Sequence, residues 1–261
     1  IRTYPETLSA IPFLREVFST YSDFASANTR QLLGEQIGEL RQININKIES
    51  VIYLNHGGRF EMKDLPINAQ LSPVFGISVS DFDGDGFEDA FLAQNFFGTR
   101  PGFPRLDSGR GLLLKGKGDG GFIPLSPSES GLDITGDQRG AAFSDYNKDG
   151  KVDLLVGQNN GQSKLYQNRN AKRGLIVHLK GLKNNPKAIG SKIQLVSMLK
   201  KGPIREIKGG GGYRSQDSAI QVMSLNDSSL NKVRVVWPSG KVSETSFSSE
   251  SKIIELKEPS K

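Results

Sequence analysis

The 261-residue sequence predicts a mainly β protein: a partial β-propeller, preceded by a helical segment and followed by a small antiparallel β domain. Three observations lead there. Short apolar runs alternate with turns rich in glycine, of which the chain has 30. An aspartate-rich loop occurs at Asp81–Asp89, D-F-D-G-D-G-F-E-D, and returns sixty-four residues later at Asp145–Asp153, D-Y-N-K-D-G-K-V-D. Hairpins and acidic loops alternate at intervals of about 53 to 64 residues, a period that means a solenoid or a propeller. Units of about four short strands favour propeller blades.

Residues 1–49 form the helical segment. Leu8, Ile11, Leu14, Val17, Phe18, Tyr21, Phe24 and Ala25 make an apolar stripe at helical spacing. Pro12 lies inside the stripe, so either a helix starts near it or two short helices meet there. A helix packed on the rest of the fold accounts for the stripe more simply than a partner-binding helix.

Residues 50–171 carry the blades. Val51–Leu54 and Phe60–Met62 flank a tight turn, and Gly111–Leu114 and Phe122–Ile123 repeat that hairpin. A third appearance of the hairpin, cut short by the domain change, is expected at Lys164–Asn168. Strands Ile77–Ser80 and Ala141–Ser144 enter the acidic loops, and Ala90–Ala93 and Leu154–Gly157 leave them. Phe96–Arg110, rich in Gly, Pro and Arg, reads as an irregular excursion. Two loops are fewer than a closed propeller of four to eight blades requires, hence a segment of one.

Residues 172–261 differ in charge. They hold 17 basic and 7 acidic side chains, against 17 and 21 in residues 1–171, which places a domain boundary near 171. Leu175–Leu179, Lys192–Val196, Ile220–Met223, Lys232–Trp237 and Lys252–Leu256 read as strands, with a turn at Pro238–Gly240 and a glycine loop at Gly209–Gly212.

The acidic loops have the chemistry of a calcium site. Carboxylates at alternate positions of a tight loop converge on one centre, and calcium takes six to eight oxygens. The ligands expected in the first loop are Asp81, Asp83, Asp85 and Asp89 with the carbonyl of Phe87. In the second they are Asp145, Asn147, Asp149 and Asp153 with the carbonyl of Lys151. Neutral Asn147 and the nearby Lys148 and Lys151 make the second site the weaker one. An EF-hand is excluded, because position 12 is Leu92 or Val156 instead of glutamate, and strands flank the loops instead of helices. Magnesium, with its strict octahedral geometry, fits less well. A plain polar turn competes as a reading of either loop alone, and the repetition argues against it.

Little in the sequence points to catalysis. There is no cysteine, His56 and His178 lack zinc-ligand spacing, and no Gly-x-Ser-x-Gly elbow occurs. The C-terminal lysines are scattered, which argues for a solvated face over nucleic-acid binding. No apolar run approaches the roughly eighteen residues of a transmembrane helix. The chain starts at Ile1 without a signal peptide and reads as a piece of something longer.

Both acidic loops resemble the FG-GAP/VCBS repeat of integrin-like β-propellers. Residues Lys183 to Val242, through Ala188-Ile-Gly-Ser-Lys, Gly212-Tyr-Arg-Ser-Gln and Val236-Trp-Pro-Ser-Gly, resemble the ASPIC/UnbV domain. Together, over roughly residues 50–245, the chain resembles a bacterial relative of the cartilage acidic protein family. The resemblance implies calcium in the blade loops, an extracellular, cell-surface or periplasmic location, and a non-enzymatic role in binding or adhesion to a protein or glycan. The rival expectation is a carbohydrate-active enzyme or a polysaccharide-binding accessory module.

Overall fold

The computed structural model describes residues 3–39, 41, 43–248 and 250–260. The few positions of the expected 1–49 and 172–261 segments that fall between these ranges lie outside the described residues. The chain divides into two compact units, Ile1–Ile48 and Glu49–Lys261.

The N-terminal unit is helical but broken: α1 (Tyr4–Ala10), α2 (Leu14–Val17), α3 (Tyr21–Ser26), α4 (Thr29–Leu33) and a 3-10 turn at Gly34–Glu39. Pro12 has no N–H to continue α1, so the chain restarts after it. Side chains then punctuate it again. Thr20 accepts the Asp23 N–H at 3.1 Å, and Asn28 and Gln31 exchange bonds across the start of α4. The apolar stripe closes a small core of Leu8, Leu14 and Phe18, to which Tyr4 is tied by its hydroxyl on the Phe18 carbonyl at 2.6 Å.

Among the described residues, the second unit is built from sixteen strands. The strands up to the tenth are β1 (Val51–Asn55), β2 (Phe60–Asp64), β3 (Val74–Ser80), β4 (Asp89–Gln94), β5 (Leu112–Gly116), β6 (Phe122–Leu125), β7 (Gln138–Ser144), β8 (Asp153–Gln158), β9 (Lys164–Tyr166) and β10 (Leu175–Lys180), with a 3-10 turn at Ile67–Ala69 between β2 and β3 and the short α5 (Pro127–Ser130) between β6 and β7. After these come β11 (Lys192–Val196), β12 (Lys201–Glu206), β13 (Gln221–Met223), β14 (Lys232–Val236), β15 (Val242–Ser246) and β16 (Ile253–Lys257). Up to β9 the sheets are meanders in chain order: β1-β2, β3-β4-β5-β6 and β7-β8-β9. None of the five sheets closes on itself among the described residues. The third expected hairpin is the single strand β9. Among the described residues, no helix is long and apolar enough to cross a membrane.

The two acidic loops connect β3 to β4 and β7 to β8, both antiparallel pairs. The repeat extends to backbone irregularities: β3 carries a bulge between Val74 and Gly76, and β7 carries its counterpart between Gln138 and Gly140. The sheets pack face to face, with Phe82, Phe91 and Ala93 against Ala141, Phe143 and Leu154. Fully burying side chains of this size contributes about 1.5–3 kcal/mol each.

The C-terminal strands form two sheets, β13-β10-β16 and β12-β11-β14-β15, around Trp237, whose indole N–H donates to Ser243 Oγ at 2.8 Å. The expected all-antiparallel arrangement holds except for β10 and β16, which pair in parallel. Strand β12 was not expected, since Gly202 and Pro203 sit within it. As an edge strand beside a bulge it tolerates both. The loop after Gly209–Gly212 covers the edge of β7: the Ser218 N–H donates to the Phe143 carbonyl at 3.0 Å, and Asp217 accepts the Phe143 N–H at 3.2 Å.

Candidate metal centre

Each acidic loop is wound around its first aspartate. In the first loop the N–H groups of Gly84 (2.7 Å), Asp85 (3.0 Å) and Gly86 (2.8 Å) all donate to Asp81. The Asp85 N–H also reaches Asp83, and the Phe87 N–H donates to Asp85 at 2.9 Å. Asp89 closes the loop by accepting from Phe82 and Gly116, both at 2.8 Å. The second loop repeats this almost bond for bond. Asp145 accepts from Asp149 and Gly150, Asn147 from Asp149, Asp149 from Lys151, and Asp153 from Tyr146 and Asn168. The sharp bend at position 6 needs φ of 97° at Gly86 and 81° at Gly150, a region open to glycine.

Carboxylate oxygens of Asp81, Asp83 and Asp89 lie within 4.8 Å of one another. Oxygens on opposite sides of a calcium ion, each at 2.3–2.6 Å from it, are separated by about 5 Å, so this all-oxygen donor set fits calcium. Asp85 stands just outside the trio, 2.8 Å from the Lys115 ammonium, which also contacts Asp83. Phe87 and Lys151 are placed by their N–H bonds to Asp85 and Asp149. Among the described residues, Asp145, Asp149 and Asp153 form no equally tight group.

Burial pushes the carboxyls of Asp81, Asp89 and Asp153 upward, Asp89 to about 6, against backbone N–H bonds that pull the other way. A carboxyl with a raised folded pKa stabilises the fold when protonated. For Asp89 that contribution is complete below 3.8 and is lost as pH rises through about 6. Asp227, held at about 2, keeps its stabilising effect above its ordinary 3.8 and loses it as pH falls through about 2. The metal-free protein is therefore expected to melt at higher temperature at pH 4.5 than at pH 6.5, a trend that a pH series in EGTA measures.

The outer sides of both loops are bonded to the C-terminal part of the unit. Four successive carbonyls of the first loop accept from it: Phe82 from the Asn168 amide (2.6 Å), Asp83 from the Lys172 N–H (3.0 Å), Gly84 from Ser224 Oγ (3.2 Å) and Asp85 from the Asn226 amide (2.8 Å). In the second loop, Asp149 and Gly150 accept from Arg173 Nε and the Gly174 N–H, at 2.7 and 2.8 Å. Glu88 pairs with Arg205 of β12, with Nε to Oε1 at 2.8 Å and Nη2 to Oε2 at 3.2 Å.

Residues 181–261 match the family model described as ASPIC and UnbV. The chain carries an ASPIC and UnbV domain. Cartilage acidic protein 1 of Xenopus tropicalis is 38% identical over 64 residues, which is 24% of this chain and 10% of that protein. The mouse protein of that name is 27% identical over 206 residues, 74% of this chain and 30% of the relative. The matched stretch thus spans less than a third of these curated relatives. It is the ASPIC and UnbV domain, with the linker before it, that holds the outer sides of the acidic loops.

The sequence reading missed Gln94-Asn95 and its repeat Gln158-Asn159, again sixty-four residues apart. Asn95 is fully buried with φ of 86°. Its amide N–H donates to the carbonyls of Gly109 and Gly136, and its oxygen accepts from Ser72 and Gly109, pinning both ends of the Phe96–Arg110 excursion. Extending the repeat comparison past the aspartates was the available signal.

Proposed function

We propose that the chain is part of a calcium-stabilised, non-enzymatic β-propeller of the FG-GAP/VCBS kind, joined to its ASPIC and UnbV domain and used for binding or adhesion outside the cytoplasm. The observation that carries this reading is the pair of strand-to-strand aspartate loops with repeated hydrogen bonding, the first with three converging carboxylates. The in-order sheets of residues 51–166, of which β3-β4-β5-β6 and β7-β8-β9 share one core, support their reading as blades.

Calcium would be held by Asp81, Asp83 and Asp89, with Asp85 and the Phe87 carbonyl adjoining. In the second loop Asp145, Asn147, Asp149, Asp153 and the Lys151 carbonyl take those places. The ion supplies positive charge to carboxylates that burial otherwise penalises. The protein's part is to hold each loop by its N–H groups and to tie it to the domain behind it. The Phe96–Arg110 excursion suits a protein or glycan ligand, with Arg105 stacked over Phe97 and Phe103 exposed.

Thermal melts of the full chain in 10 mM calcium and in EGTA test the reading. Extracellular modules bind at about 10⁻⁴–10⁻³ M, so each loaded site should contribute roughly 1.4–2.7 kcal/mol. A rise of several degrees is expected. An unchanged midpoint would sink it.

A further inference from the structure

Lys115 lies on β5, beside the first loop. The register pairs Ala90 with Leu114, which brings the next residue of β5 alongside Asp89, the last aspartate of the loop. From there the side chain turns into the carboxylates: its ammonium contacts Asp83 Oδ2 and lies 2.8 Å from Asp85 Oδ2. These contacts hold the ammonium in its charged form. The side chain is 35% exposed and borders a cavity of about 370 Å³ that Asp83, Asp89 and Asn168 also line. The four-carbon stem therefore has open space to move into, and the same cavity offers an ion a route to the carboxylates.

Among the described residues, no lysine or arginine is paired with the carboxylates of the second loop; Arg173 reaches it only at the Asp149 carbonyl. The register of the second repeat pairs Leu154 with Tyr166, and the N–H of Asn168 bonds Asp153 as that of Gly116 bonds Asp89. The counterpart of Lys115 is therefore Gln167, which is neutral. The one lysine of the second loop with a described bond, Lys151, sends its ammonium to the Arg169 carbonyl.

We propose that Lys115 is a tethered competitor for the first loop's cation: its ammonium neutralises Asp83 and Asp85 when calcium is absent, and it must swing out when calcium binds. The proposal rests on the calcium reading and adds the residue that sets the relative strength of the two sites. A monovalent ammonium and a divalent ion cannot share the same carboxylates at contact distance without strong repulsion. The first loop, richer in carboxylate, therefore binds calcium below its intrinsic affinity, by the fraction of molecules in which Lys115 has left. The weaker affinity expected of the second loop from Asn147 and its lysines is narrowed or reversed by this competition.

The test replaces Lys115 with the residue found at the equivalent position. K115Q and wild-type full chain are titrated with calcium by calorimetry at one pH and ionic strength, with K115R as the variant that keeps the charge. K115Q is expected to bind at one site roughly tenfold or more tightly, with the other site unchanged and K115R close to wild type. In EGTA, K115Q is expected to melt below wild type, because the carboxylates have lost their counter-ion. Calcium binding of equal strength in wild type and K115Q overturns the proposal alone. Absence of binding in both overturns the calcium reading and the proposal with it. An EGTA midpoint unchanged by K115Q overturns the counter-ion role whether or not calcium binds.

Discussion

Arg205→Ala is expected to lower the unfolding free energy by about 3–5 kcal/mol, among the largest losses available to a single substitution outside the cores. The Arg205 side chain is only 8% exposed, and its partner Glu88 is 26% exposed. The guanidinium binds Glu88 through two nitrogens and donates a third bond to the Val222 carbonyl. Its removal leaves a partly buried carboxylate and a buried carbonyl without partners. It also removes a positive charge that opposes the burial-driven rise of Asp81. Urea denaturation of R205A, E88Q and the double variant measures the effect. The double variant should recover part of the loss, because the orphaned charge is gone as well. A loss below about 1 kcal/mol in R205A would show that the acidic loop and the C-terminal domain are held together by the backbone carbonyl bonds instead.

That junction was not legible in the sequence. The acidic loops were, because their signal is local: charges at fixed offsets with a glycine at the bend. The strands beside them were legible for the same reason, through alternation over four to six residues. What escaped depends on register between distant segments. Nothing near Lys115 marks it as a partner of Asp83, thirty-two residues earlier; the hairpin of β4 and β5 brings them together. Nothing near Ser224 or Asn226 announces that they bond the carbonyls of Gly84 and Asp85. The parallel pairing of β10 with β16 is equally non-local. Strand β12 was hidden by Gly202 and Pro203, whose cost is small on an edge. The helical segment is legible from its apolar stripe and its first break from Pro12, but the later breaks are set by the Thr20 and Asn28 caps, which periodicity does not see.

Asp81→Ala and Asp83→Ala are expected to separate the two duties of the first loop. Asp81 is buried and accepts three N–H groups, those of Gly84, Asp85 and Gly86. Hydrogen bonds to a charged group contribute about 1.5–3 kcal/mol each, offset here by the burial of the charge. Its removal should therefore cost about 3 kcal/mol even in EGTA, since Gly84 and Gly86 have no alternative acceptor within the loop. Asp83 is 43% exposed, and both of its contacts are backed up. The Asp85 N–H keeps Asp81, and the Lys115 ammonium keeps Asp85. Its removal should cost less than about 1 kcal/mol in EGTA yet abolish most of the first loop's calcium-dependent gain. Denaturation of both variants in EGTA and in 10 mM calcium reads the two effects apart. If D83A lost as much as D81A in EGTA, the loop would depend on the whole carboxylate cluster for its shape. On the proposed calcium reading both positions would face the ion, but position 1 also builds the turn, so a substitution at position 3 is the cleaner test of calcium.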